Sequence, residues 1–146
     1  MSSQGPNNGS TFVDDATVGT AIWGTPTNAQ TSNDTYATAS LGTSGVSHYL
    51  KATGFGFSIP SGATINGILA GVERKKGDLG TVIDNSVKIV KGGTIQGNEK
   101  ASGASWPLSD AYASSGSSTD LWGLSWAAAD INAADFGFVI SCKNTD

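Results

Sequence analysis

Hydrophobic positions alternate with small or polar ones over several short stretches of this chain, which is the pattern of half-buried β-strands. In the clearest stretch, Tyr49–Ile59, a shared face carries Phe55, Phe57 and Ile59, and glycine or serine occupies the other. It is followed by Pro60-Ser61-Gly62, a combination that favours a turn. We therefore predict a strand that ends at this turn.

The same pattern predicts further strands along the chain. In the strand predicted from Ala63 to Lys75, the inner face carries Ile68, Ala70 and Val72. We expect Arg74 to mark the point at which this strand reaches solvent. Extended structure is also predicted at 11–23, 81–83 and 86–91, around Ile95 and Tyr112, at 121–126, and at 136–142.

Helical patterns are nearly absent, because Gly, Ser and Thr interrupt almost every window of helical length. The best candidate for a helical turn is the segment 127–133. About eight short strands joined by glycine-rich turns are typical of two packed sheets. The prediction is an all-β fold: an antiparallel two-sheet sandwich of jelly-roll type with one short helical turn.

The only break in composition lies at the start of the chain. Residues 1–10 are polar and rich in Gly, Asn and Ser, so we predict an extended arm there and a single β-sandwich domain over 11–146. Chain ends are poorly ordered unless something holds them. We expect another chain to hold this arm through Ser2, Ser3, Gln4, Pro6, Asn7 and Asn8.

Charge and composition exclude several classes of function. The net charge is −4 and Arg74 is the only arginine, so the chain lacks the basic surface that nucleic acids require. No apolar run approaches the length of a membrane span, and the first residues lack the features of a signal peptide. A single cysteine, Cys142, excludes an intrachain disulfide framework and a cysteine-rich zinc site.

The sequence offers little for catalysis. His48 is the only histidine, and no nucleophile-elbow motif accompanies it, so we expect a histidine at a strand edge. Glu73 and Glu99 are the only glutamates, which leaves few candidates for a pair of catalytic carboxylates. Cys142 continues the alternation of the last strand and is expected to be buried and inert. We predict that the protein is not an enzyme and has no cofactor.

Two acidic loop segments are candidates for calcium, because loop carboxylates and amides suit a hard cation. They are Asp14-Asp15 and Asp84-Asn85, and neither has the spaced ligands of a known calcium loop. We therefore predict no metal site. The run Arg74-Lys75-Lys76 is interpreted as a solvated loop.

The aromatic residues are the most informative side chains. Exposed Trp and Tyr rings form sugar-stacking platforms or interface anchors, whereas buried ones belong to the core. We assign Trp126 to the core, with Trp122 open between the two roles, and expect Trp106 before Pro107 to be exposed. Trp106, Tyr112 and Trp122 are the candidate surface contacts.

Three segments carry a resemblance to a known group of proteins. They are GFGFSIPSGATINGI (Gly54–Ile68), DNSVKIVKGG (Asp84–Gly93) and TDLWGLSWAAADINAADFGF (Thr119–Phe138). In these segments the chain resembles small β-sandwich structural proteins of tailed bacteriophages, over roughly residues 20–142. The motifs are structural, so the resemblance transfers no catalytic residue.

Phage sandwich modules of this size resemble capsid decoration, or cement, proteins. The resemblance implies a virion protein on the outer surface of the capsid, made in the host cytoplasm and bound to the major capsid protein. It also implies self-association, most simply as a homotrimer. The alternative is a carbohydrate-binding or tail-fibre module for host attachment.

Overall fold

A computed structural model describes residues 2–146, so the first residue of the predicted arm lies outside the described residues. Two short helices lie within this range, a 3₁₀ helix at Pro26–Gln30 and an α-helix, α1, at Ala128–Asn132. Neither has the length and apolarity of a membrane-spanning helix. The strands are β1 (Thr11–Asp15), β2 (Trp23–Gly24), β3 (Thr38–Ala39), β4 (Tyr49–Thr53), β5 (Leu69–Arg74), β6 (Val82–Lys91), β7 (Thr94–Gln96), β8 (Ala111–Gly116) and β9 (Gly137–Asn144).

The strands form one large sheet and two small ones. The large sheet has the order β1-β4-β9-β6-β7, and each neighbouring pair is antiparallel. β2 pairs with β3, and β5 pairs with β8, as separate two-stranded antiparallel sheets. The predicted all-β antiparallel fold is therefore confirmed, as is a helical turn near 127–133, whereas the 3₁₀ helix at Pro26–Gln30 was not predicted. The jelly-roll topology stays a prediction.

The central strand β9 is buried on both faces. Ile140 and Cys142 belong to the main core cluster, whereas Val139 packs with Tyr49 and Val90 in a second, smaller cluster on the other face. This strand and β6 supply four of the nine buried residues of the main cluster and two of the three in the smaller one. The large sheet is thus a rigid, two-sided base.

The two-stranded sheet of β5 and β8 covers the main cluster. Ala70 and Val72 of β5 pack against that cluster together with Ile68, whereas Leu69 points to solvent and is 64% exposed. This arrangement confirms the predicted inner face of the second strand. The strand begins six residues later than predicted, at Leu69.

The prediction of one strand over Tyr49–Ile59 is wrong. β4 ends at Thr53, because Gly54 and Gly56 adopt φ values of +71° and +66°, which interrupt a β-ladder. The alternation nevertheless reports burial correctly, since the Phe55 ring packs edge-on against another core ring, that of Phe136, at 6.0 Å. Here a periodic pattern marks the inward face of an irregular segment.

The predicted extended structure at 121–126 is also wrong. Trp122 and Gly123 both adopt left-handed backbone conformations, with φ values of +59° and +73°, so the chain turns here. The turn is fixed by a 2.8 Å hydrogen bond from the Trp122 amide to the Asp120 carboxylate. This turn places the Trp122 side chain inside the protein.

The described part of the arm lies along its own domain. The Gln4 side chain donates to the Ser58 carbonyl at 3.0 Å and accepts from the Ser58 amide at 3.2 Å. Asn7 donates to the Phe55 carbonyl at 2.9 Å. These contacts hold the arm against its own domain, and the holding of the arm by another chain stays a prediction. Partner binding stays a prediction for Ser2, Ser3, Gln4, Pro6, Asn7 and Asn8.

Candidate functional site

Trp106 lies in a buried polar network, so the expectation of an exposed ring is wrong. Its side chain is 7% exposed, and its indole N–H donates a 2.8 Å hydrogen bond to Asp84. Arg74 pairs with the same carboxylate and stacks on the Trp106 ring at 5.0 Å. Arg74 therefore does not reach solvent as predicted, because β5 directs it onto a buried carboxylate of β6.

Trp122 is fully buried, which settles the open choice between core and surface in favour of the core. Its indole N–H donates to the Ile68 carbonyl at 2.9 Å, and the Lys100 ammonium lies 5.6 Å from its ring centroid. Hydrogen bonds from Lys100 and from the Trp122 amide hold the pKa of Asp120 below its usual value. These contacts hold the turn in place, and the buried Trp122 ring is not accessible to a ligand.

Tyr112 is the only one of the three candidate aromatic contacts that is exposed, at 69%. It lies on β8, opposite Glu73 of β5, and shares the outer face of this small sheet with exposed Leu69. A single ring does not make the three-ring platform that the sequence suggested. Tyr112 lies at the opposite end of this face from Leu69, with Gly71 and Ser114 between them.

The outer edge of β8 is unpaired. Within residues 2–146, the backbone of Ala111–Gly116 makes hydrogen bonds only to β5, so alternate N–H and C=O groups point outward without a partner. The strand has no charged residue and no proline, the usual devices that keep an edge from pairing. This edge is available for pairing with another chain.

The residues considered for catalysis do not assemble into a reactive site. His48 Nδ1 lies 2.7 Å from Asp14, which also accepts a 2.8 Å hydrogen bond from the Trp23 amide. These contacts join β1, β2 and β4. Cys142 is buried, and desolvation raises the pKa of its thiol to about 11, so it is a poor nucleophile.

The two calcium candidates are occupied by protein partners. Asp14 binds His48, and Asp15 accepts hydrogen bonds from Thr17 that lower the pKa of its carboxyl. Asp84 binds Arg74, as described above. Both segments also lie in strands, β1 and β6, so the prediction that they are loops is wrong.

Three other carboxylates lie close together, and no pattern in the sequence predicts this cluster. The side-chain oxygens of Asp34, Glu73 and Asp110 lie within 4.8 Å of one another, an arrangement that could hold a hard cation. Lys75 lies 3.8 Å from Asp110, and a hydrogen bond with Asp110 raises the pKa of Tyr36. These residues are far apart in sequence: the pairing of β5 with β8 brings Glu73 near Asp110, and the segment between β2 and β3 adds Asp34.

A large cavity opens beside this cluster. Its volume is about 1780 Å³, and it lies between β3, β5 and the inner face of the large sheet. Its floor is apolar and includes Ile89, Phe138 and Ile140. The two small sheets therefore do not meet, and the second layer of the fold is interrupted between β3 and β5.

The geometry thus offers an unpaired strand edge and an open cavity, and the His48 imidazole pairs with Asp14. Comparison of the chain with models of protein families, with curated proteins and with solved structures finds no match.

Proposed function

We propose that this protein is a non-enzymatic structural protein of a tailed-phage particle, a decoration protein that binds the major capsid protein and stabilises the shell. The resemblance of the three segments named above supports the phage assignment. A protein with this role needs a rigid scaffold and surfaces for other chains, and it needs no reactive centre.

The observation that carries the proposal is the unpaired edge of β8, in a small sheet whose outer face exposes two separate large hydrophobic side chains. Leu69 and Tyr112 are 64% and 69% exposed on the face next to that edge. Edge strands of this kind are templates for pairing with another chain, and natural monomers normally protect them. The unprotected edge supports a role in assembly.

The proposal includes a homotrimer seated on the outside of the capsid. A ring requires two different surfaces on each subunit that meet head to tail and close after three copies. The β8 edge supplies one such surface, and the exposed arm with Ser2, Ser3 and Asn8 supplies another. Closure would shield both surfaces from further, open-ended pairing.

Capsid occupancy tests the proposal. We would add the protein to undecorated capsids of the parent phage and measure the bound fraction by co-sedimentation, for the wild type and for Leu69→Lys combined with Tyr112→Lys. Both side chains are exposed, so the fold should survive, but the new charges would have to be desolvated on binding. We expect the double variant to lose most of its occupancy.

Leu79→Lys is the matched control, because Leu79 is 91% exposed and lies outside the β5–β8 sheet. It should bind capsids like the wild type. A wild-type protein that does not sediment with capsids would overturn the decoration function. A double variant with full occupancy would show that the β8 surface is not the contact.

The alternative function, a carbohydrate-binding or tail-fibre module, retains only Tyr112 of its three proposed rings. Trp106 and Trp122 are buried and cannot stack on a sugar. Glycan binding that disappears in Tyr112→Ala would revive this alternative.

A further inference from the structure

The cavity between β3 and β5 leaves the core incompletely covered. A globular chain of 14.7 kDa is expected to expose about 6,900 Å² of surface, whereas this chain exposes 7635 Å². Phe57, Ile68 and Val72 pack against the core, line the cavity and remain partly exposed. An apolar space of this size is unfavourable unless something occupies it.

Both walls of the cavity are unpaired strand edges. Within the described residues, the backbone of Leu69–Arg74 in β5 makes hydrogen bonds only to β8. The backbone of Thr38–Ala39 in β3 pairs only with β2. Alternate backbone N–H and C=O groups of each strand therefore point towards the gap. Whatever fills the gap displaces water from these groups and must offer them hydrogen bonds in its place.

One end of the cavity rim carries a cluster of carboxylates, although the charges of the whole lining balance: Asp34, Glu73 and Asp78 against Arg74, Lys75 and Lys76. Asp110 lies beside Asp34 and Glu73, and among residues 2–146 the cation that pairs with this cluster is Lys75. Three carboxylates against one ammonium leave a net charge of about −2 in this cluster at neutral pH. An occupant with a basic residue at this end would be favoured.

We propose that this cavity receives an extended segment of a partner chain, which adds a strand between β3 and β5 and joins the two small sheets into one. The segment would have apolar residues at alternate positions, facing the floor, and a Lys or Arg at the end next to Asp34. A lipid chain could cover the apolar floor, but it could not satisfy the two rows of backbone groups. The partner's identity as the capsid protein rests on the proposed function, whereas the mode of binding does not.

A synthetic peptide tests the mode of binding without any capsid. The probe is Lys-Val-Thr-Val-Ser-Val-Thr, which is one residue longer than β5, and its control has the same composition with the three valines consecutive. Titration of the protein with the probe should show binding. Hydrogen exchange should then be slower at the backbone amides of Leu69–Arg74 and Thr38–Ala39 when the probe is bound. The control peptide should bind at least about tenfold more weakly.

Three outcomes would overturn the proposal: no binding of the probe, equal binding of the control, or binding without protection of these amides. Binding of oleate in place of the probe, again without amide protection, would instead identify the cavity as a lipid site. None of these results depends on the capsid experiment. Failure of the peptide experiment would therefore not contradict the decoration function. Failure of the capsid experiment would not contradict binding of the peptide.

Two variants locate the peptide. Ala70→Trp places a large ring in the cavity and should abolish binding, whereas the matched Ala111→Trp on exposed β8 should not.

Asp34→Asn, at an exposed position, should weaken binding of the probe by about threefold to tenfold, in the range of one charge pair. It should not weaken binding of the same peptide with Gln in place of Lys. Equal effects on both peptides would contradict the proposed orientation.

Discussion

The indole N–H of Trp106 donates a 2.8 Å hydrogen bond to Oδ1 of Asp84, the same oxygen that binds Arg74. The second oxygen of Asp84 accepts a 3.0 Å hydrogen bond from the Ser102 amide. The Asp84 carboxylate thus has a countercharge and hydrogen bonds to both of its oxygens, which is the condition for burying a carboxylate at low cost. The network joins β5 to β6 across the core.

Arg74→Met should destabilise the protein by about 3–5 kcal/mol, because it leaves the Asp84 carboxylate buried without a countercharge. The free energy of unfolding in urea would measure this loss. Lys75→Met is the matched control, since Lys75 is largely exposed and its contact with Asp110 is 3.8 Å long. It should cost less than about 1 kcal/mol. Equal losses for the two variants would contradict a special role for the buried pair.

Gly137→Ala should be far more damaging than Gly71→Ala, although both glycines lie in strands. A Cβ at Gly137 would lie 2.0 Å from the Ala52 carbonyl oxygen, so the backbone of β4 would have to move at a cost of about 1–3 kcal/mol. A Cβ at Gly71 would contact nothing within 4 Å and should stabilise by about 0.4–1 kcal/mol. Thermal unfolding of both variants would test the close approach of β4 and β9.

The sequence predicts the fold best where two-residue periodicity coincides with a continuous ladder. β9 and the 86–91 part of β6 follow this rule, whereas the ladder shifts register between Asp84 and Ser86. The inward face of β5 was correct at Ala70 and Val72. The rule fails at Gly54 and Gly56, because alternation reports which side chains face inward and says nothing about backbone dihedral angles. Only the positive φ values distinguish an irregular inward-facing segment from a strand.

The candidate site was harder to predict, because it depends on contacts between distant segments. Trp106 precedes a proline and sits among serines, a context that suggests a loop at the surface, yet the Asp84 carboxylate holds its N–H inside. The grouping of Asp34, Glu73 and Asp110 follows from the pairing of β5 with β8 and from the path of the chain between β2 and β3. No local pattern encodes either relationship.

Asn7→Ala should loosen the arm, because it removes the 2.9 Å hydrogen bond to the Phe55 carbonyl. The expected cost is about 0.5–1.5 kcal/mol of local stability, seen as faster proteolysis or hydrogen exchange within residues 2–10. Asn8→Ala is the matched control, since the structure gives the Asn8 side chain no hydrogen bond among residues 2–146. Faster exchange in both variants alike would indicate that the arm is not held by this contact.

Alkaline pH should destabilise the protein through Cys142. Burial raises the pKa of this thiol from 9.0 to about 11, so the folded state keeps its proton where the unfolded state loses it. The stabilising contribution is therefore complete below pH 9 and is lost as the pH rises through about 11, by about 2–3 kcal/mol. Lysine and tyrosine residues also titrate in this range, so the measurement must isolate the thiol.

Cys142→Ala provides that separation. The free energy of unfolding of the wild type should fall more steeply between pH 9 and 11 than that of the variant, although the variant begins from a lower value because it loses packing in the core. In the same pH range, iodoacetamide should modify the folded wild type far more slowly than the unfolded chain, because the thiolate is the reacting form. Parallel pH curves for the two proteins would show that Cys142 keeps an ordinary pKa, and would refute its desolvation within β9.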